Sequence, residues 1–147
     1  MRSLLGCGSD VNERNARRET ALDAASMYGQ LEIAKLLIER GADVDTRDRY
    51  GWTPLCTASG CGQLEVAGLL LDHGADVNAQ KRDYDTALHL ASYNEEFKMV
   101  QLLLERGANV DIRGADGQTP RQIAVQAGYR RTIELLSSCG EHSHGFT

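Results

Sequence analysis

Apolar residues recur along the chain with the spacing of short amphipathic helices. Between Leu31 and Glu39 the apolar side chains fall on one helical face, formed by Leu31, Ala34, Leu37 and Ile38. A leucine pair in this segment returns every 33 residues, as Leu36-Leu37, Leu69-Leu70, Leu102-Leu103 and Leu135-Leu136. The pattern therefore predicts four helices of one kind within a repeated unit.

Two further series of residues keep the same register. The threonine series reads Thr20-Ala21-Leu22, Thr53-Pro54-Leu55, Thr86-Ala87-Leu88 and Thr119-Pro120-Arg121. The glycine series reads Gly8-Ser9-Asp10-Val11, Gly41-Ala42-Asp43-Val44, Gly74-Ala75-Asp76-Val77 and Gly107-Ala108-Asn109-Val110. Because three series share one register without an insertion, the chain is predicted to be an array of repeats.

Each repeat is predicted to contain two helices and a projecting turn. The threonine is a favoured N-cap of the first helix, and proline at 54 and 120 suits the first helical position. Glycines are expected to end the first helices at Gly29, Gly62 and Gly128, and the second helices at Gly41, Gly74, Gly107 and Gly140. One helix pair cannot bury its apolar face alone, so neighbouring pairs are expected to stack.

These motifs resemble the ankyrin repeat. The family pattern Thr-Pro-Leu-His-x-Ala is matched by the segment 86–91 and, with cysteine in place of histidine, by the segment 53–58. The resemblance implies an all-α solenoid of helix-turn-helix units with β-turn or hairpin fingers, in which His89 is a structural hydrogen-bonding residue between units. The predicted divisions are a partial repeat at 1–15, repeats at 16–48, 49–81 and 82–114, and a capping repeat at 115–147 that includes a polar tail from about 141.

Departures from the repeat pattern give more specific expectations. The piece before residue 16 lacks a first helix, which indicates an array cut from a longer one. Polar residues replace apolar ones in the last repeat, as expected of a cap, at Arg121, Arg130, Thr132 and Ser137. Glu95 stands where other repeats have glycine, so a positive φ is expected there at a cost of about 1 kcal/mol.

Composition and charge narrow the function. The chain has 147 residues and a net charge of -5, from 21 acidic and 16 basic residues, which argues against general nucleic-acid binding. No apolar run is long enough for a membrane helix or a signal peptide, so an intracellular location in cytoplasm or nucleus is expected. The four cysteines, Cys7, Cys56, Cys61 and Cys139, are then expected to be free thiols.

No catalytic, metal or cofactor site is predicted, so the chain is not expected to be an enzyme. Ser26, Ser59 and Ser92 share one repeat position, which is typical of small packing residues. Cys56 and Cys61 lie about 140° apart around a helix and cannot share a metal ion.

The candidate site is therefore a binding surface. In ankyrin-like repeats this surface consists of the fingers and the outer side of the first helix. The candidate residues there are Arg17, Glu19, Met27, Tyr28, Arg49, Tyr50, Trp52, Arg82, Asp83, Asp85 and Tyr93. Because Trp, Tyr and Arg are enriched in binding hot spots, Trp52 and Tyr50 are predicted to anchor a protein or peptide with acidic and apolar residues.

Three other interpretations stay open at this point. Trp52 and Tyr50 could pack only on neighbouring fingers. The array could be a structural or regulatory segment of a larger multidomain protein, packed on its own neighbouring domain. The basic residues of the fingers could contact nucleic acid. No homo-oligomer is predicted.

Overall fold

The structure is a computed structural model that describes residues 10–144, with side chains as far as Ser138. The described residues form eight helices and no strand, as expected for an all-α chain. In order they are α1 (Ala21–Tyr28), α2 (Leu31–Glu39), α3 (Pro54–Gly60), α4 (Leu64–Asp72), α5 (Ala87–Tyr93), α6 (Phe97–Glu105), α7 (Pro120–Ala127) and α8 (Arg130–His144).

The first helix of each pair begins at a threonine. The side-chain oxygens of Thr20, Thr53, Thr86 and Thr119 each accept the backbone N–H three residues later. This bond satisfies one of the amides that a helix start leaves unpaired. The predicted threonine caps are therefore confirmed, and they set the helix starts 33 residues apart.

Positive φ angles mark the helix ends where glycine was expected. Gly29 and Gly128 end α1 and α7 in the left-handed conformation, and Glu95 takes the same region with φ 54°. The positive φ expected at Glu95 is confirmed. The expectation for Gly140 is wrong, because α8 continues through it to His144.

The chain divides into two compact units, which meet in sequence at Asp76 and Val77 and are called here the N-terminal block and the C-terminal block. In the N-terminal block, α1 packs against α2 and α3, and α4 packs against α2 and α3. In the C-terminal block, α5 packs against α6 and α7, and α8 packs against α6 and α7. The leucines of the repeat pattern fill both cores, with Leu22, Leu37, Leu55, Leu70, Leu88, Leu103 and Leu136 fully buried.

A hydrogen-bond ladder joins successive repeats inside each block. In each rung a side-chain oxygen accepts the backbone N–H of the residue 31 positions later. Asn12 accepts from Asp43, Asp45 accepts from Asp76, and Asn78 accepts from Asn109. The donor–acceptor distances are 2.7, 3.0 and 2.7 Å. The ladder explains why this position of the repeat is always Asn or Asp in the sequence.

Each helix pair is preceded by a tight turn; the four turns are called fingers 1 to 4 and lie at 15–19, 48–52, 81–85 and 114–118. In each finger the first N–H donates to the carbonyl of the last residue. The fourth residue of each finger has a positive φ and is Arg18, Gly51, Tyr84 or Gly117. The fingers are therefore closed turns, and the described residues contain no strand that would make them hairpins.

Candidate functional site

A cavity of about 360 Å³ opens on the surface of the N-terminal block. The sequence-predicted residues that line it are Arg17, Glu19, Met27, Tyr28 and Trp52. They come from finger 1, from the end of α1 and from finger 2. The structure therefore brings these side chains to one place.

Side-chain caps hold the backbone of the fingers at the cavity. In finger 1, Oδ1 of Asn15 accepts the N–H groups of Arg17 and Glu19 at 2.9 and 3.0 Å. In finger 2, Oδ1 of Asp48 accepts the N–H of Trp52 at 3.0 Å. The two fingers are joined by the N–H of Arg49, which donates to the carbonyl of Arg17 at 3.2 Å. Trp52 is thus carried on a backbone segment that is fixed before any partner arrives.

Met27 and Tyr28 stand at the end of α1 and form part of the apolar lining. Their side chains remain 39% and 69% exposed, although they are large and apolar or aromatic. The carbonyl of Met27 accepts a hydrogen bond from Nε2 of Gln63 at 3.1 Å, which ties this end of α1 to the start of α4. The exposed side chains are therefore mounted on a held backbone.

Asp23 lies at the cavity and was missed by the sequence analysis. The residue is only 6% exposed, and its Oδ2 accepts the N–H of Thr20 at 2.9 Å. Burial, assisted by the charges of Asp48 and Glu19, raises the pKa of Asp23 to about 6. A signal was present in the sequence: Asp23 occupies the repeat position at which His89 completes the family pattern.

Arg49 and Tyr50 lie on finger 2 but do not line the cavity. The guanidinium carbon of Arg49 is 5.3 Å from the centre of the Tyr50 ring, within the range of a cation–π contact. Both side chains are exposed. They form the outer edge of finger 2, whereas Trp52 is half-buried and lines the cavity.

Finger 3, in the C-terminal block, carries three predicted residues with different surroundings. Arg82 and Asp83 are exposed, and Asp83 pairs with Lys81 at 3.1 Å. Burial alone would raise the pKa of Asp83, but hydrogen bonds from the Asp85 N–H and from Lys81 outweigh it and lower that pKa. The prediction that Asp85 faces a partner is wrong, because it is 4% exposed and its carboxylate accepts the N–H of Ala115 at 2.9 Å.

Tyr93 ends α5 of the C-terminal block and keeps 40% of its surface exposed. Burial of the rest, with the negative charges of Asp85, Asp116 and Asp83, raises the pKa of its phenol. Its carbonyl accepts a hydrogen bond from the hydroxyl of Tyr129 at 3.4 Å. Tyr129 thus holds the end of α5 as Gln63, at the equivalent repeat position, holds the end of α1.

His89 has the structural role that the family resemblance implied. Its Nε2–H donates to the carbonyl of Gln118 in the next finger at 2.9 Å, so Nδ1 is the acceptor for the Thr86 N–H at 3.1 Å. Burial lowers the pKa of this imidazole. The neutral ring therefore caps α5 and joins it to finger 4 at the same time.

The remaining residues considered for chemistry are serines and cysteines. The hydroxyls of Ser26 and Ser92 are buried and donate to the carbonyls four residues earlier, at 2.7 and 2.8 Å. Cys56 is buried and Cys61 is exposed, and neither is part of a disulfide, as predicted. Cys7 and the side chain of Cys139 lie outside the described residues.

The described part of the chain contains neither a cluster of metal ligands nor a helix able to span a membrane. His, Cys, Asp and Glu side chains between residues 10 and 138 form no group of three or more suited to a metal ion. None of the described helices combines the length and the apolar character needed to cross a bilayer.

Comparison with known proteins agrees with the repeat geometry. A family model for ankyrin repeats (3 copies) matches residues 1–81, and one for ankyrin repeats (many copies) matches residues 70–124. The comparison with curated proteins gave no significant match. With threonine-capped helix pairs every 33 residues, turn-like fingers between them and family matches over most of its length, the chain belongs to the ankyrin-repeat family as an all-α solenoid.

Proposed function

We propose that this chain is a non-enzymatic module that binds a protein or peptide, with the cavity of the N-terminal block as its central site. Ankyrin repeats are generally protein–protein interaction modules. One observation carries the more specific proposal: Met27, Tyr28 and Trp52 line a single cavity on a surface that the sequence singled out independently.

The physical basis of binding would be burial of aromatic and thioether surface on a scaffold that is already ordered. A half-exposed aromatic ring that becomes buried contributes through the hydrophobic effect, at about 25 cal/mol per Å² of apolar surface. The capped fingers and the tied end of α1 reduce the entropy lost on binding, since the backbone is fixed beforehand. Rigid aromatic anchors of this kind are typical of binding hot spots.

The other predicted residues take supporting roles in this proposal. Arg49 and Tyr50 would contact the partner at the outer edge of finger 2. Arg82, Asp83 and Tyr93 would provide contacts in the C-terminal block. Asp85 is removed from the binding set because its buried carboxylate holds finger 4.

The cavity gives less support to the nucleic-acid alternative. Three carboxylates line it, from Glu19, Asp23 and Asp48, against the single guanidinium of Arg17. Such a surface repels a phosphate backbone. Packing on a neighbouring domain of a longer protein would use the same cavity, with the bound segment supplied by the same polypeptide.

Selection of linear peptides from a phage-displayed library against the immobilised chain tests the proposal. We expect selected peptides to bind the double variant Met27→Ala/Tyr28→Ala at least about tenfold more weakly, because exposed anchors contribute to binding and little to folding. Trp52→Ala should have the same effect. The matched control is Leu36→Ala, which removes an exposed apolar side chain from α2 of the same block. Selection without binders, or binders insensitive to all three anchors, would contradict the proposal.

A further inference from the structure

We propose that the cavity of the N-terminal block accepts a cationic side chain, arginine or lysine, from the bound peptide, held by the carboxylates of Glu19, Asp23 and Asp48. This inference rests on the proposed peptide-binding function and adds the chemistry of the bound residue. The basic residues of the fingers predict a partner with acidic residues. At this cavity the inferred group of the partner has the opposite, positive charge.

The charges of the lining support a cation. Three carboxylates stand against one guanidinium, that of Arg17, so the ionised cavity carries a net charge of about -2. Oδ1 of Asp48 is already oriented by the N–H groups of Tyr50 and Trp52, at 2.8 and 3.0 Å. Oε1 of Glu19 is oriented by the amide of Asn15 at 3.1 Å. The acceptors are therefore positioned before a ligand enters.

Asp23 gives a second observation that favours a cation, independent of the net charge of the lining. Its side chain is more than nine-tenths buried, and its Oδ1 has no hydrogen-bond partner while Oδ2 is capped by Thr20. A buried carboxylate that lacks a donor is unfavourable, and a ligand that donates to this carboxylate from the cavity, which Asp23 lines, would relieve this. Guanidinium and ammonium groups are donors only, and a hydrogen bond to an ionised carboxylate is stronger than one between neutral groups.

The shape and the apolar lining fit the stem of such a side chain. At about 360 Å³ the cavity lies at the small end of the range of about 300–1,000 Å³ for ligand sites, as suits one long side chain. Met27, Tyr28 and Trp52 offer apolar and aromatic surface beside the carboxylates. Arginine and lysine bury their methylene stems along such surface and place their charge over aromatic rings.

Protonation gives the inference a distinctive signature. The other charged or titratable groups that line the cavity with Asp23 are Arg17 and Glu19 of finger 1, Tyr28 of α1, Asp48 of finger 2 and Cys61 just after α3. Because the pKa of Asp23 is about 6, the carboxylate is ionised at pH 7.5 and mostly protonated at pH 5. A cation that needs this carboxylate should therefore bind about tenfold more weakly at pH 5.

The test is a titration of the full chain with N-butylguanidinium chloride, followed through the backbone amides of Thr20 and Asp23 and the indole N–H of Trp52, the single tryptophan of the chain. We expect saturable shifts at pH 7.5 that weaken about tenfold at pH 5. Asp23→Asn should weaken binding about tenfold at pH 7.5 and remove the pH dependence, and Asp43→Asn, outside the cavity, should change neither. Butanol, butyrate and sodium chloride at equal concentration are the ligand controls.

Shifts that butanol reproduces, or that Asp23→Asn leaves unchanged, would overturn the inference. Peptides from the library selection separate it from the proposed function. If selected peptides need Trp52 and Met27 but bind equally well when each arginine and lysine is replaced by glutamine, the cavity binds peptides and the cationic inference is wrong. If arginine or lysine replacement alone abolishes binding, both proposals stand.

Discussion

The backbone N–H of Thr20 donates to Oδ2 of Asp23 across 2.9 Å, while the other carboxylate oxygen of Asp23 is buried without a partner. The carboxylate thus caps α1 and lies at the candidate cavity. The capping bonds lower its pKa, but burial outweighs them and raises the pKa to about 6 from its ordinary value of 3.8. One residue therefore couples the start of a helix to the protonation of the proposed binding site.

Stability should respond to this carboxyl in a defined pH window. The folded chain binds the proton more tightly than the unfolded chain, so the free energy of unfolding falls as pH rises from about 4 to 6. At pH 7 the cost is on the order of 3 kcal/mol, from the shift between 3.8 and about 6. Asp23→Asn should therefore gain stability relative to wild type as pH rises. Urea unfolding of both proteins between pH 4.5 and 7.5 measures this difference.

The matched control for that comparison is Asp43→Asn. Asp43 is exposed, and its Oδ1 accepts the N–H of Asp45 at 2.9 Å, a role that an amide oxygen can keep. Its stability difference from wild type should be small and flat with pH. A difference between wild type and Asp23→Asn that does not change across the window would show that the Asp23 carboxyl is not perturbed by burial.

His89 should produce the opposite pH dependence. Burial lowers the pKa of its imidazole below the ordinary 6.5, so the unfolded chain binds the proton more tightly. The free energy of unfolding should then fall as pH drops below about 6.5. His89→Gln should remove this loss and cost about 1 kcal/mol at pH 7.5, because the bond to the Gln118 carbonyl is lost. Denaturant unfolding of both proteins at pH 5.5 and 7.5 tests this.

The chain itself shows why glutamine is the matched replacement. At the equivalent position of the last repeat, Oε1 of Gln122 accepts the N–H of Thr119 at 2.9 Å, as Nδ1 of His89 accepts that of Thr86. The cap is therefore kept and only the inter-repeat bond and the titration are removed. Equal sensitivity of wild type and variant to acid would contradict the assignment.

The repeat register made most of the fold predictable from sequence. Threonine caps, glycine ends and buried leucines are local or periodic signals, and even the positive φ of Glu95 follows from comparison of equivalent positions. Asp85 could not be assigned in this way, because its burial depends on a contact with Ala115 that lies 30 residues away. The role of Asp23 likewise depends on the side chains that surround it, and the repeat pattern does not predict that Glu19 and Asp48 line the same cavity.

Relief of the strain at Glu95 should stabilise the chain. Its φ of 54° lies in the left-handed region, and the equivalent residues of other repeats, such as Gly29 and Gly128, are glycines with φ of 67° and 78°. Glu95→Gly should therefore raise the free energy of unfolding by about 1 kcal/mol. The control is Glu96→Gly, since Glu96 has φ -83° and should not gain from glycine. Thermal unfolding that ranks Glu95→Gly at or below Glu96→Gly would contradict this account.

Two glycines with opposite surroundings should respond oppositely to alanine. A Cβ at Gly114 would lie 2.8 Å from Cδ2 and 2.9 Å from Nε2 of His89 and would collide with the Asp85 carboxylate, whereas a Cβ at Gly68 in α4 would meet nothing within 4 Å. Gly114→Ala should therefore lower the free energy of unfolding by about 1–3 kcal/mol and disturb the bond from His89 to Gln118. Gly68→Ala should raise it by about 1 kcal/mol, because alanine is the better helix former. Denaturant unfolding measures both, and similar effects of the two substitutions would show that the close approach of finger 4 to His89 does not require glycine.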